Sequence, residues 1–221
     1  MDTICAISTP MGVGGISIIR LSGDNALNVA SKFFTTKSVS TNQLKPRYMY
    51  LGEFKMDTMQ EQCMCVYFKA PNSYTGEDII EFQCHGGIAV TRKILDTLIK
   101  SGCRMADAGE FTKRAFLNKK ISLDRAEGII DVINAESESE LKAGYSLMQG
   151  NLQKEISDIQ TQLTDILAFI GVNFDYPEFD DEGITNNEVK DKVDGIYDRL
   201  VKIRNTADTG MTIKNGCRIV I

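Results

Sequence analysis

A chain of 221 residues with 43% hydrophobic and 25% charged residues carries enough apolar material for one or two ordinary domain cores, which excludes a disordered chain. No apolar run approaches the ~20 residues needed to cross a bilayer, and Met1-Asp2-Thr3-Ile4 lacks the basic start of a secretory signal, so no membrane association is expected and the cytoplasm is the expected compartment. The net charge of −5 argues against a large basic surface, because non-specific nucleic-acid affinity comes mainly from Lys and Arg neutralising phosphates; if RNA is the substrate, another part must grip it.

Short strands are predicted over residues 3–8 and 16–21, joined by the glycine-rich loop Thr9-Pro10-Met11-Gly12-Val13-Gly14-Gly15. That loop is not G-x-G-x-x-G and no G-K-[ST] follows it, so phosphate cradling is not expected there. A helix over 24–34, a solvated loop rich in Ser, Thr and Lys over 35–45, and strands over 48–55 and 63–69 with a turn at Met56-Asp57-Thr58 come next. Cys63 and Cys65 share one face of the last strand and read as small core or edge residues. The six cysteines are dispersed, form no C-x-x-C pair, and read as reduced thiols. A single histidine argues against a His-rich metal site or a Ser-His-Asp triad, and no metal ligand is assigned.

The densest pattern follows. Ile80, Phe82 and Cys84 alternate with Glu81 and Gln83, so a strand buries one face and presents a carboxylate on the other. It ends at His85-Gly86-Gly87, where two glycines permit a tight turn into a helix over 88–101. Such a strand-turn-helix corner aims backbone N–H groups and the positive end of a helix at whatever sits above the strand end. His85 reads either as a group polarising a ligand atom or as a hydrogen-bonded corner residue. Gly102, in the left-handed conformation, stops the helix, and a short strand follows over 103–106. Thr112 is expected to cap a short helix with Lys113 and Arg114 outward and Phe111, Ala115 and Phe116 inward.

From Asp124 the character changes. Asp124 and Glu127 read as a capping box, and the apolar spacing from Ala126 through Ile170 predicts a helical region far longer than usual, weakened at Gly144 and Gly150. Residues 173–183 break the pattern, and a second helix over 187–209 is expected to run antiparallel to the first. Residues 216–221 look like an opening strand, as though another domain follows in the intact protein.

The blocks DTICAISTPMGVGGISIIRLSG, PNSYTGEDIIEFQCHGG, GEFTKRAFLNKKISLDRAEGIIDVINAES, SLMQGNL and FDYPEFD, in that order and spacing, resemble the amino-terminal region of the MnmE (TrmE) family of tRNA-modifying GTPases. The resemblance implies an α+β fold: a mixed-sheet domain over 1–120 similar to the tetrahydrofolate-binding aminomethyltransferases of glycine cleavage, then a long-helix all-α domain over 121–211. Residues 212–221 would begin a GTPase domain. It further implies homodimerisation through the first domain, binding of 5-formyltetrahydrofolate with contacts at positions matching Arg20, Glu81 and Lys120, and a folate pocket to which His85 and Gly86 are candidates. No catalytic residue is assigned to this chain; potassium and magnesium would belong to the GTPase domain. The implied activity is modification of the wobble uridine of certain tRNAs, with an aminomethyl-type group (carboxymethylaminomethyl) installed together with a flavin-dependent MnmG-type partner in a heterotetramer.

Chemistry supports these carry-overs without dictating them. A strand-face carboxylate at Glu81 can accept two N–H bonds from a pterin edge, and Lys120 and Arg20 suit folate carboxylates or carbonyls, while Arg20 could equally close a structural ion pair. The family usually has a second proline and an arginine where this chain has Met11 and Val13, and a proline at Ala108, which bears on loop contacts rather than on the fold. Two other functions fit parts of the pattern: a stand-alone folate-dependent aminomethyltransferase, and a ligand-free helical scaffold for dimerisation.

Overall fold

The computed structural model describes residues 2–175 and 186–215. They divide into two units, Met1–Ile121 and Ser122–Ile221.

The first unit is built on one mixed sheet. Its strands are β1 (Ile4–Ile7), β2 (Gly14–Ser22), β3 (Phe34–Thr35), β4 (Met49–Lys55), β5 (Gln60–Phe68), β6 (Ile79–Gly86) and β7 (Arg104–Met105), in the order β3-β4-β5-β6-β2-β1-β7. All neighbours are antiparallel except β1 and β7. The period-two alternation sends Ile19, Leu21, Cys63, Cys65, Ile80, Phe82 and Cys84 to one face, where helices α1 (Ala26–Phe33) and α2 (Ile88–Lys100) cover them with Val29, Ala30, Ile94, Leu95 and Leu98. Phe54 meets Phe82 edge-on at 5.0 Å between ring centroids at the middle of this core. The opposite face carries Ile16, Arg20, Glu81, Gln83 and His85. A third helix, α3 (Glu110–Leu117), follows β7.

Three local expectations are corrected. Residues 35–45 are not simply a solvated loop: β3 adds an edge strand, Thr41 in a short 3-10 turn donates to the Phe34 carbonyl, and Thr41 and Leu44 are buried. Helix α3 starts two residues before Thr112, after the left-handed Gly109 at its N-cap, so Thr112 is not the cap. Arg114, expected outward, is 5% exposed, while Phe116, expected inward, is 40% exposed. The reason is electrostatic: three carboxylates converge on Arg114 from the inner side of the helix.

In the second unit the long helical run is divided into α4 (Leu123–Asn134), α5 (Glu138–Met148) and α6 (Asn151–Asp175). Ala135 is extended and ends α4, and Ser137 starts α5 by accepting the Glu140 N–H, while the Glu140 carboxylate accepts the Glu136 N–H. Gly150, at φ +73°, separates α5 from α6. Gly144 does not weaken its helix; a Cβ there would sit 2.9 Å from the Val132 nitrogen, and one on Gly128 only 2.4 Å from the Met148 nitrogen. These two glycines let α4 and α5 close into an antiparallel hairpin. Asp124 is no capping-box residue either, because α4 begins one residue earlier with Ser122 at the N-cap; both Asp124 carboxylate oxygens are buried without a partner among the described residues.

Helix α7 (Asn186–Asn205) runs antiparallel to α6. Ile159 and Ile166 pack with Ile196, and Arg199 bonds Glu155 and Asp158 at 2.8 Å each. Helix α8 (Ala207–Asn215) continues past residue 211, and the strand expected at 216–221 lies outside the described residues, as does most of the 173–183 break.

Candidate functional site

The register of the sheet decides the site. Arg20 on β2 lies directly opposite Glu81 on β6, on the face away from α1 and α2. Cross-strand neighbours on one face have Cβ atoms ~5 Å apart, so opposite charges there meet without strain. Both Nε and Nη2 of Arg20 stand 2.7 Å from the same oxygen, Oε1 of Glu81, which leaves Oε2 outside the pair. The Arg20 side chain is 26% exposed and that of Glu81 13%.

Two aromatic rings complete this arrangement. The Arg20 guanidinium lies 5.7 Å from the centroid of Tyr74, on the segment between β5 and β6, and 5.4 Å from that of Phe111 on α3. The Tyr74 hydroxyl and Thr112 Oγ1 are hydrogen-bonded at 2.8 Å, joining the segment to the helix beside Phe111. The Tyr74 and Phe111 contacts were not foreseen. A Tyr in S-Y-T-G and a Phe on a short amphipathic helix carry no signal beyond ordinary packing, since the contact depends on how α3 meets the segment.

Lys120 lies against the same segment. Its ammonium donates to the Pro71 carbonyl at 2.9 Å, and its stem packs beside Gly76. His85 is strongly exposed and bonds Glu61 twice, Nδ1 to Oε1 at 2.6 Å and backbone N–H to Oε1 at 3.0 Å, which is the corner arrangement. Gly86 is buried in β6 against the backbone of β2; a Cβ would meet the Gly14 oxygen at 2.4 Å. Its glycine therefore serves close approach of two strands, and neither Gly86 nor Gly87 takes a left-handed conformation at the turn.

Beneath the 70–78 segment sits the charge network that the sequence did not disclose. Arg114 donates to both Glu77 oxygens at 3.1 Å, to Glu110 Oε1, to Asp2 Oδ1 at 2.6 Å and to the Asp2 carbonyl. Ser22 Oγ donates to Glu77 Oε2 at 2.7 Å. Burial works against the Arg114 charge, but the bonds from Glu77, Asp2 and Glu110 outweigh it and hold its pKa above the usual value. The Arg104 guanidinium, ahead of Arg114, holds the Glu110 carboxyl down at about 2. A Glu four residues before an Arg reads from sequence as a surface helix pair, so nothing announced its burial.

The remaining titratable groups among the described residues do not assemble a second centre. Burial pushes the Cys84 thiol up to about 11 and the Cys63 thiol up to about 12, consistent with free, inert core cysteines. Among the described residues no group of three His, Cys, Asp or Glu side chains is placed to hold a metal ion. A cavity of about 650 Å³ is lined by Asp2, Asn25, Asn28, Lys32 and Ser101 among others, and by none of Arg20, Glu81 and Lys120. Among the described residues no helix is long and apolar enough to cross a membrane.

A mixed sheet with a cross-strand ion pair on the face opposite α1 and α2, followed by an all-helical unit, is the α+β arrangement that the sequence resemblance implies. Comparison with known proteins agrees. The family described as "GTP-binding protein TrmE N-terminus" matches residues 3–120, and the "MnmE helical domain" matches residues 123–218. The chain is 41% identical over its whole length to the tRNA modification GTPase MnmE of Clostridioides difficile, 42% to that of Caldicellulosiruptor saccharolyticus and 39% to that of Lactobacillus acidophilus, covering 48%, 49% and 48% of those proteins. The chain belongs to the TrmE/MnmE family and corresponds to its N-terminal and helical parts. It spans about half the length of the curated relatives it matches.

Proposed function

We propose that the first unit, residues 1–120, binds 5-formyltetrahydrofolate or a related one-carbon folate and forms a homodimer, as part of a cytoplasmic GTPase that modifies tRNA. In this reading the intact protein works with a flavin-dependent MnmG-type partner to install carboxymethylaminomethyl on the wobble uridine. Residues 121–211 form the first part of its helical domain, and the GTPase domain beyond them uses potassium and magnesium. Bound folate would supply the one-carbon unit; this chain's share is to hold and orient it. Its similarity to the glycine-cleavage aminomethyltransferases belongs to the same proposal.

The observation that carries the reading is Glu81. Its carboxylate stands on the sheet face opposite α1 and α2, with one oxygen taken by Arg20 and the other outside that pair, and two aromatic rings lie against that arginine. That donor and acceptor set suits the amino and ring N–H groups of a pterin, through charge-assisted bonds worth ~1.5–3 kcal/mol each. Lys120 is the cation for the folate's carbonyl or carboxylate groups, released from the Pro71 carbonyl when ligand binds. His85 and Gly86 lie at the far end of β6, and their bonds to Glu61 and to the β2 backbone make them the weaker candidates. The relatives' names favour this reading over a stand-alone aminomethyltransferase.

Calorimetric titration of 5-formyltetrahydrofolate tests it. Saturable binding at one site per chain, lost in Glu81→Ala, is expected. Absence of binding to the folded wild-type chain would reduce the first unit to a scaffold.

A further inference from the structure

We infer that Tyr74 and Phe111 are positioning residues that keep Arg20 from closing over Glu81. This rests on reading Glu81 as the ligand carboxylate. The favoured contact between a guanidinium and a carboxylate is a parallel fork, with two N–H groups meeting two different oxygens. Here the Nε and Nη2 groups converge on Oε1 alone. Arginine side chains are long and lose considerable freedom when fixed, so a partly exposed one does not hold an unfavoured geometry unaided.

The two rings supply the hold. Both centroids lie within the ~6 Å range of cation–π attraction, at 5.7 and 5.4 Å, and they come from different elements. The bond between Tyr74 and Thr112 locks those elements together next to Phe111, so the guanidinium sits in a bracket rather than against a single ring. Without the bracket, Arg20 swings into the fork and takes Oε2, the oxygen a ligand N–H would use. The arrangement selects planar ligands that present adjacent N–H donors to one carboxylate oxygen.

The test separates this role from ligand contact and from folding. In ligand-free protein, the ¹⁵N spectrum should show an Arg20 Nε–H resonance displaced by ring currents. It should shift slightly in Tyr74→Phe, which keeps the ring but loses the tie to Thr112, and move well toward an ordinary position in Phe111→Leu, with the backbone spectrum otherwise retained. An Arg20 resonance unaffected by Phe111→Leu would overturn the bracket, whether or not folate binds. For 5-formyltetrahydrofolate, Tyr74→Leu and Phe111→Leu should raise Kd about fivefold or more, the equivalent of one cation–π contact, and Tyr74→Phe by much less. In an Arg20→Met background Tyr74→Leu should have no further effect. An equal loss in that background would show the ring touching ligand directly and overturn the positioning role. Failure of wild type to bind folate, with the resonance behaving as described, would remove the ligand reading and leave the bracket established.

Discussion

Replacing Arg114 by Met should destabilise the first unit severely. Arg114 is 5% exposed and its five N–H donors are spread over Glu77, Glu110, the Asp2 carboxylate and the Asp2 carbonyl. Without it, Glu110 keeps Arg104 and the Asp107 N–H, but Glu77, 8% exposed, keeps only the Ser22 hydroxyl and the local bonds of its own segment as compensation. Removing one partner of a buried pair costs ~3–5 kcal/mol because a desolvated charge is left behind. Against a typical stability of ~5–15 kcal/mol this is a large fraction, and at ~1–3 kcal/mol per molar urea it lowers the midpoint by roughly 1–5 M. The chain has no tryptophan, but five buried cysteines, Cys5, Cys63, Cys65, Cys84 and Cys103, all lie in the first unit. Pulsed labelling of these five thiols across a urea series, read peptide by peptide so that Cys217 of the second unit is left out, therefore reports that unit alone. Arg114→Met with Glu77→Gln should recover part of the loss, since the orphaned charge is gone. A shift in Arg114→Met below ~1 kcal/mol, the range of surface ion pairs, would refute the burial argument.

Three further outcomes follow from the same geometry. Glu110 is held near 2 against an ordinary 4.5, chiefly by Arg104, so its contribution is present above 4.5 and lost as pH falls toward 2; the urea midpoint followed by circular dichroism should drop across that window and drop less in Glu110→Gln. Gly128→Ala should force α4 from α5, because the added Cβ would meet the Met148 nitrogen at 2.4 Å; a loss of ~1–3 kcal/mol by far-UV circular dichroism is expected, and an unchanged melting profile would contradict the tight hairpin. The purified chain should not hydrolyse GTP, since its sequence contains no G-x-x-x-x-G-K-[ST]; phosphate release above a heat-treated control would count against this.

What could be read from the sequence was what depends on periodicity. The strand at Ile79–Gly86, the helix at Ile88–Lys100 and the alternation that puts Glu81 opposite the core all follow from residues two or three and four apart. The weak point read at Gly150 is a helix break, but the break at Ala135 was obscured because apolar spacing continues across it, so one long helix and several consecutive ones share a pattern. The pairing of Arg20 with Glu81 was open, since register between strands 61 residues apart is a tertiary fact. Burial of Arg114 was illegible for the same reason: its partners Asp2 and Glu77 are distant in sequence, and only the fold assembles them. Helix caps failed where a left-handed glycine, at Gly109, did the work assigned to a side chain.

The central claim is that the sheet face opposite α1 and α2, at Arg20 and Glu81, holds a folate. Hydrogen exchange of the chain with and without saturating 5-formyltetrahydrofolate locates the ligand directly. The account predicts added protection in the segment between β5 and β6, in the first residues of β6 and in α3. Protection confined instead to residues around Asn25, Lys32 and Ser101, which line the cavity of about 650 Å³, would contradict it.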